Sequence, residues 1–479
     1  MPVVSALVGL AVAAGAVTAA GPWDSGQRTA EKDRAEAASS TGGEDHGEQA
    51  SGRSGRTAGG ATPPAAAVLA ALGVASPAES PDPVPPPTRP GLADALSPLL
   101  KDPALGPLRT ASVVDASTGK QLYGSRAGTA AVPASTIKIA TAVAALDALG
   151  PDHRIETAVV KGKGADEIVL VGGGDPTLTA REAKGPEAPA ELSDLADRTA
   201  RALKEGGTKK VTVAYDTSRY GGPEQHSIGP NPNLAPVSAL MVDEGRLDDS
   251  TGGPAPRSAE PAADAAKAFA GMLRDRGVEI KGDPRRATAG ERAGKLATVR
   301  SQPLSALVER MLTASDNDIA EALARQTAIA AGGPVTFDGA GKAVSARLKR
   351  LGLPVSGARF ADGSGLSRDD KVSADLLAQL LVRAADTRRT GLRPVLTGLP
   401  VAGFSGTLRS RYADAPTGTG MVRAKTGTLT GVNTLAGTVV DADGRLLVFA
   451  FMTSDAVDAK AAQSVLDRLA SAVANCGCR

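Results

Sequence analysis

Aromatic residues make up only 2% of this 479-residue chain, so its cores have to be built from Ala, Val, Leu and Ile. Histidine is almost absent. His46, His153 and His226 are the three that occur, and no Gly-x-Ser-x-Gly elbow accompanies them, which argues against a Ser-His-Asp hydrolase. The sequence has no His-Glu-x-x-His or comparable ligand cluster, so no metal or other cofactor is expected. Charge of one sign is also missing: a formal net charge of +2 without a polybasic block gives no electrostatic reason to bind nucleic acid. The Gly-rich "VGGGDP" lacks the Lys-Ser/Thr of a phosphate loop. The two cysteines, Cys476 and Cys478, are too few for a disulfide framework, and a bond between residues two apart would be strained. A free, exposed pair is therefore expected.

Residues 1–23 carry no charge and have the length and small residues of a secretory signal peptide or a membrane anchor. They lack the usual basic start, since the first basic residue is Arg28, so the segment is atypical or the true start lies upstream. Residues 24–91 are rich in Ala, Gly and Pro and too poor in apolar residues to offset the entropy of ordering. They read as a disordered linker that would tether a folded body to the membrane.

Past that linker, "LRTASVVDASTGKQLYGSR" alternates apolar and polar residues around a turn and predicts a hairpin over about 108–124. "AVPASTIKIATAVAAL" (131–146) then places Ser135 three residues before Lys138, at the head of a helical pattern. A serine hydroxyl needs a base before it is a useful nucleophile, and a lysine serves once burial or a neighbouring cation lowers its pKa. Two further fragments carry the same kind of chemistry. "MLTASDNDIAEALARQ" sets Ser315-Asp316-Asn317 just before a helix, and "MVRAKTGTLTG" sets Lys425-Thr426-Gly427-Thr428 on a strand.

Ser-x-x-Lys, Ser-Asp-Asn and Lys-Thr-Gly in that order resemble the motif set of class A β-lactamases and penicillin-binding proteins. Ser135 and Ser315 stand 180 positions apart, room for an inserted domain. "EIVLVGGGDPTLT", "KKVTVAYDTSRYGGPEQH" and "ARFADGSGLSRDDKVSA" are similar to the class C low-molecular-mass penicillin-binding proteins over roughly 92–475. The resemblance implies an α+β fold of the penicillin-binding-protein/β-lactamase-like transpeptidase type, an antiparallel sheet with helices on both faces, plus an inserted, mostly β lobe with a helix near "SDLADRTARALKEGG". The catalytic domain would be split into 92–150 and 300–479 around an insertion at 151–299.

The activity so implied is that of a serine D-Ala-D-Ala carboxypeptidase, acting on peptidoglycan stem peptides through an acyl-enzyme and inhibited covalently by β-lactams. The alternatives are DD-endopeptidase action on cross-links and a slowly acylating penicillin-binding sensor. The family's residues map to Ser135 as nucleophile, Lys138 as base and Ser315 as proton relay. Asn317 would hold the substrate backbone, and Lys425 would supply the cation that depresses Lys138. Thr426, Gly427 and Thr428 would receive the substrate, with the N–H groups of Ser135 and Thr428 as oxyanion hole. Asp216, near Tyr220, and Arg368 would hold the far end of the stem peptide, unless they are a surface ion pair or turn residues. Such an enzyme acts on the extracytoplasmic, cell-wall side.

Overall fold

The computed structural model describes residues 86–478 apart from 184, 186 and 187. The signal or anchor segment and nearly all of the linker lie outside the described residues. The first described helix is α1 (Arg89–Leu100), whose first turn is closed by Thr88 accepting a hydrogen bond from the Gly91 N–H. The chain then runs through β1 (Leu108–Asp115), β2 (Gln121–Ser125) and the short β3 (Ala130–Ala131) into α2 (Lys138–Leu149).

From there it builds a second region. This comprises β4 (Glu156–Lys161), β5 (Glu167–Val171), α3 (Leu192–Glu205), β6 (Lys210–Asp216), α4 (Pro261–Asp275), β7 (Glu279–Ile280), β8 (Arg285–Arg286) and β9 (Lys295–Arg300). Helices α5 (Leu304–Ala314), α6 (Asn317–Ala330) and α7 (Phe337–Arg350), the short β10 (Val372–Ser373) and α8 (Ala374–Ala385) follow. Strands β11 (Val422–Leu429), β12 (Val432–Val440) and β13 (Leu446–Ser454) and helix α9 (Ala459–Ala474) complete the order.

β11, β12, β13, β1 and β2 form one antiparallel sheet in that spatial order, so the early hairpin joins the late strands by pairing Leu108 with Ser454 through Asp115 with Leu447. Seven of the nine residues of β13 are buried because both faces of the sheet are covered. Alternation then divides them between two cores: Val448, Ala450 and Met452 pack with α2, α6 and α8, while Leu447, Phe449 and Phe451 pack with α1 and α9. Two of the scarce aromatics meet here, Phe449 and Phe451 stacking at 5.2 Å between ring centroids.

The second region is a six-stranded sheet in which β4 pairs antiparallel with β5 and β9, whereas β5, β6, β7 and β8 are joined by parallel pairings. Parallel pairing needs crossovers, and this is why a second helix, α4, accompanies the expected α3. Leu195 of α3 and Phe269 of α4 meet Leu170 and Val213 in its core.

Cys476 and Cys478 are bonded to each other, which corrects the expectation of a free, exposed pair. Their Cα atoms are 4.8 Å apart, within bonding reach. Cys476 is buried against the α1–α9 core, and the Cys478 carbonyl accepts the Thr88 N–H at 2.7 Å.

Candidate active site

Ser135 stands in a 3-10 turn, Ala134–Ile137, that leads directly into α2. Side chains three apart eclipse in such a turn, which brings Lys138 Nζ to 3.1 Å from Ser135 Oγ. Ala134 enters it in left-handed backbone at φ 47°, a conformation that costs a non-glycine residue about 1–3 kcal/mol and persists only where its surroundings enforce it. The enforcement is visible. The Pro133 carbonyl accepts from the hydroxyls of Thr136 (2.7 Å) and Thr434 (2.8 Å), and a Cβ on Gly365 would lie 2.0 Å from the Ala134 oxygen.

Lys138 is fully buried and also donates to Asn317 Oδ1 at 2.7 Å and to the Ser364 carbonyl at 2.5 Å. Burial pulls its pKa down to about 8, against the opposing charges of Asp362, Asp316, Glu321 and Asp370.

Ser315 ends α5 in left-handed backbone (φ 59°), and Asp316 immediately caps α6 by accepting from the Ile319 N–H. The junction turns Ser315 and Asn317 into one cleft. Asn317 uses both ends of its amide, its Nδ2 donating to the Asn233 carbonyl at 2.9 Å. Ser315 Oγ accepts from Lys425 Nζ at 2.8 Å, and Lys425 also donates to the Thr426 carbonyl at 2.8 Å. Lys425 is as completely buried as Lys138. Burial and the charge of Lys138 hold its pKa well below the ordinary lysine value. For Lys138 the larger cause is burial rather than the expected charge of Lys425.

β11 is the edge of its sheet. Its first residues are bridged by the preceding loop, Ala402 N–H to the Val422 carbonyl and Ala424 N–H to the Pro400 carbonyl, and the run from Lys425 lies beyond those bonds. Gly427 passes so close to the nucleophile turn that a Cβ would meet Thr434 Oγ1 at 2.2 Å and the Ser135 nitrogen at 3.1 Å. The Thr426 hydroxyl is shared with Thr407 at 2.8 Å, and the exposed Thr428 has Gln463 within 3.4 Å. Ser135, Ser315, Asn317, Leu366, Thr428 and Arg246 line a cavity of about 310 Å³. Larger cavities, about 550 and 620 Å³, contain none of these six residues, so size does not mark the site.

The second region supplies the far wall with Asn233, Arg246, Pro254 and Arg257, Arg246 following directly on a turn of three consecutive left-handed residues, Asp243, Glu244 and Gly245. Carboxyl–guanidinium contacts lock it to the Ser315 junction: Glu244 with Arg246 and Arg310, and Asp318 with Arg257 at 2.8 Å. Burial and the neighbouring Asp316 push Glu244 up to about 8 and Asp318 up to about 7. Two buried groups, Glu244–Asp316–Asp318 and His226–Glu321–Asp362, have spacing a cation could use. Their oxygens already accept from arginines, histidine and backbone N–H groups.

Asp216 and Arg368 do not form the expected pair. Asp216 is buried, with one carboxylate oxygen accepting from the Ser218 N–H and the other from the Ala289 N–H, both at 2.7 Å. These are the contacts of a turn residue. Arg368 is exposed and donates to the Thr430 carbonyl at 2.7 Å, beside the end of β11. Tyr220 donates to the Gly174 carbonyl at 3.3 Å. Ser364, Glu321 and Asn233 touch or fix the site without having been singled out from sequence. The one available signal was "ADGSGLSRDD", where two glycines flank a serine amid three aspartates.

A serine and two buried lysines gathered beside the edge of an antiparallel sheet with helices on both faces define the serine penicillin-recognising class. The chain belongs to the D-Ala-D-Ala carboxypeptidase 3 (S13) family, whose model matches residues 92–256 and 251–473. It is 40% identical over 412 residues to carboxypeptidase DacB of Mycolicibacterium smegmatis, covering 82% of this chain and 86% of that protein. It is 37% identical over 410 residues to a carboxypeptidase of Mycobacterium tuberculosis, covering 82% and 85%. Among solved structures, penicillin binding protein 4 of Haemophilus influenzae shares the fold, with a TM-score of 0.64 at 23% identity over 79% of this chain and 97% of that one. That protein has also been solved in complex with a β-lactam.

Proposed function

We propose that this D-Ala-D-Ala carboxypeptidase removes the terminal D-alanine of peptidoglycan stem peptides with Ser135 as nucleophile and Lys138 as its base. The observation that carries the assignment is the 3.1 Å approach of a fully buried Lys138 to Ser135 Oγ. Neutral Lys138 takes the hydroxyl proton as Ser135 Oγ bonds to the penultimate carbonyl carbon. The N–H groups of Ser135 and Thr428 receive the developing oxyanion, where preorganised donors act on charge present only in the transition state. Ser315 gives its hydroxyl proton to the leaving amine as it takes one from Lys425 Nζ, which donates to it; the C–N bond breaks, D-alanine departs, and the proton held by Lys138 replaces the one Lys425 gave up. Water then cleaves the Ser135 ester and restores the hydroxyl. Asn317 and the open edge of β11 hold the stem peptide as an added strand, and Lys425 with Thr426 and Thr428 attracts its terminal carboxylate.

The substrate lies on the cell-wall side of the membrane, and residues 1–23 serve as signal peptide or anchor. Among the described residues no helix is long and apolar enough to cross a membrane.

Labelling with a fluorescent penicillin, followed by mapping of the adduct, tests the assignment. The label is expected on Ser135 and absent from Ser135→Ala, and an adduct on Ser315 would overturn it. D-alanine release from a stem pentapeptide, measured beside cleavage of a cross-linked dimer, separates carboxypeptidase from endopeptidase and from a slowly acylating sensor.

A further inference from the structure

Beneath the nucleophile lies a buried polar network to which the mechanism above gives no part. The loop Asp362–Ser367 passes between α6 and the Ser135 turn with no room for side chains at its glycines. A Cβ on Gly363 would meet the Ala320 oxygen at 2.7 Å, and one on Gly365 would meet the Ala134 oxygen at 2.0 Å. Two carboxylates hold this loop by its backbone. Glu321 Oε1 accepts from the N–H groups of Gly363 (3.1 Å) and Ser364 (3.0 Å). Asp362 Oδ1 accepts from Ser364 (3.0 Å) and Gly365 (2.6 Å), and its Oδ2 from Ser367 (2.7 Å).

Each carboxylate is itself anchored. Glu321 pairs with Arg325 at 3.1 Å, and that guanidinium lies 4.1 Å from the Phe337 ring centroid. Asp362 Oδ2 is 3.0 Å from Nε2 of His226, a residue from the segment between β6 and α4.

The product of this scaffolding is one carbonyl. Ser364 O accepts from Lys138 Nζ at 2.5 Å, and the N–H of the same peptide unit, on Gly365, donates to Asp362. To act as a base Lys138 must be neutral, with two N–H bonds and one lone pair. Asn317 Oδ1 and Ser364 O are its two closest acceptors, both nearer than Ser135 Oγ. Once they take the two N–H bonds, the lone pair is left for the serine hydroxyl.

We propose that Asp362 and Glu321 are positioning residues for the base: through the Ser364 peptide they aim the Lys138 lone pair at Ser135, and His226 carries the second region into that support. The inference rests on Lys138 being the base. The charges that face Lys138 are Asp316, Glu321, Asp362 and Asp370 on one side and Lys425 on the other, with Arg325 and His226 behind the carboxylates.

The test measures the second-order rate of acylation by a chromogenic cephalosporin against pH in the full chain, normalised to correctly folded protein by thermal melting. Asp362→Asn and Glu321→Gln are each expected to lower the high-pH plateau on the order of 10²-fold, the scale of a misaligned reacting group. Each should also move the acidic limb to lower pH, because a negative charge that favours the ammonium is gone. His226→Ala should lower the plateau and His226→Gln, which restores an N–H donor to Asp362, should recover it. A purely structural role would scale the whole profile and leave the limb in place, which overturns the proposal; so would wild-type profiles in all these variants. Should one carboxylate variant fail to fold, the other and the His226 pair decide. Ser135→Ala is run alongside: residual acylation there would defeat the assignment of the nucleophile, a failure distinct from wild-type behaviour of Asp362→Asn.

Discussion

Lys425 Nζ donates at 2.8 Å to Ser315 Oγ, a hydroxyl 110 residues earlier in the chain, while the other buried lysine, Lys138, touches Ser135. Each lysine thus has its own serine. Two ammonium groups in one dry cleft repel, and both have lowered pKa values as a result of burial first and, for Lys425, of the charge of Lys138. The division of work between base and relay follows from which hydroxyl each lysine reaches.

Acylation should therefore depend on pH through Lys138. The reactive form is the neutral amine and its pKa is about 8, so the rate falls about tenfold per unit as pH drops below that value and levels off above it. A stopped-flow profile that stays flat from pH 6 to 9 would rule out Lys138 as the base.

Lys425→Ala removes the cation beside Ser315 and the attraction for a terminal carboxylate. Acylation should drop on the order of 10²–10⁴-fold, the range of a positioned acid-base and electrostatic group. Circular dichroism should still report a folded sheet. An unchanged acylation rate would take Lys425 out of the site.

Glu244 is raised to about 8 by burial and by Asp316. A carboxyl whose folded pKa exceeds its unfolded value of about 4.3 contributes stability at acid pH that is lost as pH rises through the folded value. Glu244→Gln should therefore show a flatter decline in melting temperature between pH 5 and 8 than the parent. Parallel curves for the two proteins would contradict the protonated state of Glu244.

Asp216→Asn should weaken substrates with and without a free amino-carboxylate end alike. Its two oxygens support the Ser218 and Ala289 backbone, and an amide can accept for only one of them. Arg368→Ala, at the exposed rim, should leave the unfolding free energy within about 0.5 kcal/mol of the parent's. Selective loss of the zwitterion-bearing substrate in Asp216→Asn would restore the side-chain pocket that the geometry speaks against.

The chemistry was more legible than its support. Ser135, Lys138, Ser315, Asn317 and Lys425 announced themselves because a nucleophile, its base and its relay demand particular side chains at fixed local spacing, and the structure gathers all five into one cleft. The hairpin was readable from alternation, and the run around Lys425 as a strand, whereas β12 and β13 are buried on both faces and carry no alternation. Helix α4 was not readable, because the parallel pairing of β6 with β7 that it crosses over is a long-range event with no local mark. Ser364 acts through its backbone carbonyl, which every residue has, so nothing in its identity advertised the contact. Asp216 stayed open in the sequence for a related reason: an aspartate that supports a turn and one that binds a ligand look the same until the partners of its oxygens are known.

The pairing of β1 with β13 has a consequence for how the enzyme is made. Ser135 and Lys138 are synthesised early, but β11, which brings Lys425 and the edge beside the nucleophile, can dock only against β12 and β13, the last strands to emerge. A chain still being translated therefore holds a serine and a lysine without the surface on which a peptide would be cleaved. Completion of the cleft thus waits on the final strands to be made.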